Sequence, residues 1–434
     1  MVTHLNASCD EKSVPADGRE LGQNEPVTPS TRSRFGLRSN LFRPDDAGRA
    51  DRVTHIELFF DLIFVFALTQ LSRHLYENQS LLGAVQSTVL VLALWWIWIY
   101  TTWVTNWLDP AKLPVRAAVI VLALLGFVLG VSILEAYGDR GLAFAIAYVV
   151  LQLGRTIFMT VAVARHDERL RHDFVIVLGW LTLSGAIWII GALLPLEFRL
   201  PVWAAALLLE FLSSSRAFRF PDSPDSAGSQ GSARGHSLSG AHLAERSALF
   251  VIISLGESFL VTGFAFVAQE STVAGIVGVL SAFFTAVGMW WLYFDHGEKA
   301  GSRSLKSAAD PDRIGRVAYT YVHAIIIGGI VLTSVADKEV LSHPDSAMKL
   351  STALTIVGGP LLYLLGLALF RRVVSGEVVW SQLGGAVLLV VALGASALLT
   401  PLLLGVVCTL IVMATAAWET VVRVRAGTAV EESG

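Results

Sequence analysis

The sequence predicts an all-α fold: a polytopic membrane helix bundle of about twelve transmembrane helices. Three observations carry this expectation. Of 434 residues, 54% are hydrophobic and only 15% are charged, against roughly 25% charged in an average soluble protein. Mean hydropathy is +0.62. The apolar residues fall into twelve blocks, each long enough for the about 20 helical residues that cross a hydrocarbon core of about 30 Å. Helices are preferred because each satisfies its own backbone hydrogen bonds in lipid, and the period-2 alternation of a membrane barrel is absent. The composition excludes a disordered chain and argues against an ordinary cytosolic enzyme.

Residues 1–50 are polar and aperiodic, without the apolar stretch of a cleavable signal, and read as a disordered cytoplasmic tail. Residues 51–220 form a first membrane half, with blocks at 56–76, 81–105, 114–134, 141–164, 171–194 and 200–219. Residues 221–241, rich in Ser and Gly, read as a flexible cytoplasmic linker. Residues 242–425 form a second half, with blocks at 243–267, 273–295, 313–335, 349–370, 377–396 and 400–422. Residues 426–434 are a short C-terminal tail. The eleventh and twelfth blocks nearly touch at Thr400–Pro401.

Cationic residues orient the bundle. With the N-terminus cytoplasmic, the inside segments carry 23 Lys and Arg and the outside loops carry 5. That asymmetry follows the positive-inside rule and places both termini on the cytoplasmic side of the cell membrane. The net charge of −3 gives no reason to expect a nucleic-acid partner. Cys9 and Cys408 do not suggest a disulfide framework or a cysteine zinc site.

The two halves resemble one another. A shift of 187 residues pairs His55 with His242 and Gln70 with Glu257, and Trp95-Trp96 and Asp109-Pro110 have counterparts in Trp290-Trp291 and Asp310-Pro311. Six helices is an even number, so the repeat is parallel, about an axis along the membrane normal.

Ionisable residues inside spans cost several kcal/mol, roughly 2.5–3.5 on insertion scales, unless they are paired or wet. Glu57 and Asp61 lie four apart on one face of the first helix. They read as a proton-handling or cation-binding pair, or as acidic side chains favoured by a helix N-terminus, with Arg52 an available partner. Gln70 sits in the outer half of the same helix. Glu257 is the most isolated acidic residue, and Gly256 beside it is expected to permit close approach of another helix. Arg155 needs an anion, which Glu257, Glu210 or Asp61 can supply. Glu210 lies mid-span in the sixth helix, and His323 mid-span in the ninth, near Tyr319 and Tyr321. Such a lone His more often completes a hydrogen-bond network than acts as a switch. The aromatic run Trp95, Trp96, Trp98, Tyr100, Trp103 and Trp107 reads as an interfacial belt.

No phosphate loop, dinucleotide fingerprint, paired-His metal motif or serine nucleophile elbow is present. No catalytic residue, cofactor or metal is therefore expected, and the protein is not read as an enzyme.

The runs RVTHIELFFDLIFVFALTQL, from Arg52, and HLAERSALFVIISLGE, from His242, resemble the bacterial low temperature requirement A (LtrA) family. The motif positions are His55, Glu57, Phe60, Asp61, His242, Glu245, Arg246, Gly256, Glu257 and Ser258. The resemblance spans about residues 50 to 425 and implies a multi-pass membrane protein associated with growth at low temperature, without supplying a substrate. The expected activity is secondary transport of a small polar or ionic solute, coupled to protons or cations through Asp61 and Glu257. The alternative is a non-transporting sensor or scaffold for cold or envelope stress. The lipid bilayer is the expected partner.

Overall fold

The computed structural model describes residues 41–43, 53–164, 168–215, 240–268, 272–295, 314–315 and 317–431. Tail residues 1–40 and 44–50 and linker residues 221–239 lie outside the described residues.

The described chain is built of twelve α-helices: α1 (His55–Glu77), α2 (Leu81–Trp107), α3 (Leu113–Ser132), α4 (Gly141–Val163), α5 (Glu168–Leu193), α6 (Leu196–Ser215), α7 (Gly240–Val267), α8 (Val273–Phe294), α9 (His323–Ser342), α10 (Leu350–Ser375), α11 (Trp380–Gly394) and α12 (Pro401–Glu431). Ten helices are long and apolar enough to cross a membrane. The other two are α6 and α11. Helix α6 carries Glu197, Arg199, Glu210 and an internal Pro201, and α11 has only 15 residues, a rise of about 22 Å. Helix α12 runs to Glu431, past the boundary expected near residue 425.

Local sequence sets several ends. Ser80 and Thr272 cap α2 and α8, their hydroxyls accepting from Gly83 N and Gly275 N at 3.0 Å. Pro114 sits in the first turn of α3, where no N–H is missed. Gly376, at φ 72°, ends α10 in the left-handed conformation.

Helix α1 touches α2, α3, α7 and α9, and α9, the more buried of the two, packs in turn on α7, α8, α10 and α12. The α9–α10 contact is close because glycines face it. A Cβ on Gly329 would lie 2.6 Å from Tyr363 N, and one on Gly359 2.6 Å from Thr333 N. Gly256 is different: a Cβ there would meet nothing within 4 Å, so it marks open space and not the helix contact its sequence suggested.

A six-residue π-helix, Val317–Val322, precedes α9. Such a segment interrupts the regular ladder and is frequent at functional sites. Trp95 Nε1 donates to Thr320 O at 2.6 Å, and His323 Nδ1 lies 2.9 Å from Ala318 O. The aromatic run of α2 is thus a core feature. Trp95, Trp96, Trp98 and Tyr100 are buried, and Trp96 stacks on Phe211 at 4.1 Å. The expected belt is wrong for these four, because helices surround that face. It suits Trp290 and Trp291, which are 44% and 42% exposed.

Candidate functional site

Two polar clusters lie where the halves meet. The first joins α1, α2 and α7 near their ends on the N-terminal side. Glu57, one turn into α1, turns back to accept from Thr54 N at 2.9 Å and Thr54 Oγ1 at 2.8 Å. Asp61, a turn deeper, accepts from Trp98 Nε1 at 2.7 Å and from Arg246 Nη2 at 2.8 Å. Arg246 Nη1 donates to Thr105 Oγ1 at 2.5 Å and lies 3.5 Å from Glu57 Oε1. Its guanidinium also sits 5.7 Å from the rings of Phe60 and Trp98. His242, one turn earlier on α7, has Nε2 3.1 Å from Glu57 Oε1 and 3.1 Å from Arg43 Nη2.

Arg43 completes the cluster. Phe42 forms an antiparallel bridge with Leu108, and Asp109 N donates to Leu41 O at 2.9 Å. This holds Arg43 so that Nη2 donates to both Glu57 oxygens at 3.1 Å, and Nε to Thr105 O at 2.8 Å. Leu41 and Phe42 are buried, inside the range the sequence assigned to a disordered tail. Glu57, Asp61, His242 and Arg246 are fully buried. Among the described residues, two carboxylates face two guanidiniums. The mutual repulsion expected of Glu57 and Asp61 is answered by Arg43 and Arg246.

The second cluster joins α1, α7 and α9 in the opposite half of the bundle. Glu257 is 1% exposed, and its Oε1 has no hydrogen-bond partner among the described residues. Thr69, Ser72 and Ser334 surround the carboxyl group, and Asp337 is close enough to repel it. Ser334 Oγ donates to Ser72 Oγ at 3.1 Å, and Ser72 Oγ to Leu68 O at 3.1 Å. Ser258 Oγ donates to Asp337 Oδ2 at 3.1 Å. Asp337 was missed in the sequence because the ninth block was ended at 335, which placed Ala336-Asp337-Lys338 in a loop. Helix α9 continues to Ser342 and carries Asp337 into the bundle.

The remaining candidates lie elsewhere. Arg155 donates to Ile97 O at 3.1 Å, Thr101 Oγ1 at 3.3 Å and the Gln152 side chain. Gln152 Nε2 donates to Glu210 Oε2 at 3.1 Å, so the amide bridges Arg155 to the acid. Glu210 also accepts from Tyr148 at 2.7 Å, Ser184 at 2.5 Å and Trp188 at 3.1 Å. His323 Nε2 lies 2.8 Å from Tyr293 Oη, and both ring nitrogens have partners. His55 is exposed, while Gln70 and Glu245 are half-buried. Asp61, Arg155, Glu210, Glu257 and His323 therefore occupy four separate networks, with Arg155 and Glu210 sharing one.

The sequence profile of the bacterial low temperature requirement A protein (LtrA) matches residues 52–417. The chain belongs to the LtrA family. It is also 37% identical, over 336 residues, to the uncharacterized protein RA0937 of Rhizobium meliloti (strain 1021), which covers 77% of this chain and 80% of that protein. No solved structure matches.

The LtrA motif residues separate by position. Glu57, Asp61, His242 and Arg246 meet in the first cluster, with Phe60 beneath the guanidinium. Glu257 and Ser258 belong to the second. The two runs are thus coupled in space as well as recognisable in sequence. Arg43 lies before the LtrA match begins, and neither periodicity nor spacing flagged it.

Proposed function

We propose that this LtrA protein is a secondary transporter of a small polar or ionic solute, coupled to protons or cations and linked to growth at low temperature. The observation that carries the reading is Glu257: a carboxylate 1% exposed, with Oε1 unpartnered among the described residues and hydroxyls around it. Burying a carboxylate against hydroxyls, without a cation beside it among the described residues, is costly, and such residues in membrane proteins mark ion or proton pathways. A proton or cation on Glu257 removes that cost in one state of the cycle and restores it in another. The first cluster is the complementary part. Its ion pairs cross from α1 to α7, closing the N-terminal side, and opening that side requires breaking or moving them as a unit. The halves rock about the axis of the six-plus-six layout, with both termini cytoplasmic in the cell membrane.

Purified protein in proteoliposomes tests this directly. Solute uptake driven by a proton or sodium gradient is expected, and Glu257→Gln uncouples uptake from the gradient. Background flux across a broad solute panel, together with a Glu257→Gln strain that grows normally in the cold, would sink the reading.

The separation of the intramembrane charges into four networks favours a second reading: a non-transporting factor for cold or envelope stress. Its mark is a partner protein recovered by cross-linking in native membranes, with no flux.

A further inference from the structure

Beyond Asp337 lies a small cavity that neither the carrier reading nor the LtrA motifs use. It has a volume of about 20 Å³ and is bordered by α8, α9, α10 and α12. About one water-sized body fits such a space. Its oxygen-bearing lining side chains are Asp337, Ser281, Thr285, Thr333 and Thr409, and no basic side chain borders it. The hydroxyl protons can all be assigned away from the centre. Thr333 Oγ1 donates to Gly329 O at 2.8 Å, and Thr409 Oγ1 to Gly405 O at 3.0 Å. Ser281 and Thr285 reach Thr409 Oγ1 at 2.6 Å and 2.7 Å, and can donate to it. Asp337 takes one hydrogen bond, from Ser258, and its other carboxylate oxygen has no hydrogen-bond partner among the described residues. What remains for the cavity is lone pairs and a negative charge.

Pro360 adds an independent feature. It lies inside α10 and lines the same cavity. Proline has no N–H, so the carbonyl four residues earlier loses its helical partner. That residue, Ile356, also borders the cavity. Interrupted helices whose backbone carbonyls hold alkali ions are a known membrane solution to ion binding. Hard oxygen ligands with a single carboxylate suit a monovalent hard cation and disfavour soft transition metals.

We propose that this cavity binds one sodium ion, held by Asp337 with the hydroxyls of Ser281, Thr285 and Thr333 and the Ile356 carbonyl. Charge density selects sodium, since a carboxylate at contact distance attracts the smaller alkali ion more strongly than potassium. This deepens the carrier reading by naming the coupling ion, but the site is tested without transport.

The test is equilibrium binding of radioactive sodium to full-length protein in lipid nanodiscs. Saturable binding of one ion per chain is expected, displaced by lithium more readily than by potassium. Asp337→Asn abolishes it. Thr333→Val removes a hydroxyl that bonds only to the Gly329 carbonyl of its own helix among the described residues, keeps the thermal melt of the parent and weakens binding by about tenfold or more. Absence of saturable sodium binding overturns the proposal, as does binding that survives Asp337→Asn or is displaced equally by potassium. Sodium binding without solute flux keeps the site and removes the carrier reading. Proton-driven flux without sodium binding does the reverse.

Discussion

Arg246 ties α7 to both α1 and α2. It donates to Asp61 and Thr105, sits beside Glu57, and lies over two aromatic rings, all without exposure to solvent. Removing one partner of a buried pair leaves an unbalanced charge, at a cost of about 3–5 kcal/mol. Arg246→Ala is therefore expected to lower the melting temperature sharply in detergent, or to leave no folded protein by size-exclusion chromatography. Arg246→Lys should not rescue it, because one ammonium cannot replace a planar fork reaching three acceptors. Trp98→Phe keeps an aromatic face towards Arg246 but loses the donor to Asp61 and part of the buried indole. A hydrogen bond to a charged group contributes about 1.5–3 kcal/mol, so its melt should fall between those of the parent and Arg246→Ala. A melt equal to the parent's would mean that Asp61 is adequately held by Arg246 alone.

At the scale of elements, the α9–α10 contact tolerates no added side chain at its glycines. The Cβ of Gly359→Ala would fall 2.6 Å from Thr333 N, which is backbone and cannot rotate aside. Overpacking of this kind costs about 1–3 kcal/mol. Gly256→Ala, by contrast, meets open space and should leave the melt unchanged. Sequence reading separates these cases poorly. Hydropathy places the helices well, because a membrane span needs only length and apolarity. It does not say which face a helix turns inward. The α2 tryptophans looked interfacial, since Trp is common at interfaces, but Trp96 and Trp98 are fully buried. Glu57, Asp61, His242 and Arg246 were all legible as candidates. Their pairing was not, because α1 and α7 are separated by more than 160 residues of intervening chain. Asp337 escaped for a different reason: its neighbours Lys338 and Glu339 make the end of α9 look like a polar loop. In the structure Lys338 Nζ lies 3.9 Å over the Tyr76 ring and Glu339 accepts from Gln79 at 2.9 Å, so the charged turn is packed.

For the whole molecule, Cys408 supplies a reporter. It is buried and lines the cavity beside Asp337. In a Cys9→Ser background it is the only thiol in the chain. A static bundle keeps it silent to small methanethiosulfonate reagents. A bundle in which α8, α9, α10 and α12 move relative to one another exposes it intermittently, and labelling should then slow when sodium occupies the cavity. Labelling measured by mass spectrometry with and without sodium decides between them, and sodium-independent silence favours the non-transporting reading.

The Arg43 contact changes where this domain begins. The LtrA match starts at residue 52, yet the guanidinium that balances Glu57 comes from nine residues earlier. A fragment trimmed to the match would lose the guanidinium that donates to both Glu57 oxygens. A chain that begins just after Arg43 should melt below one that begins at Leu41. The shortest unit that can be excised intact is thus longer than the recognisable one, and an N-terminal fusion is safe only with the Leu41-Phe42-Arg43 segment left free to dock.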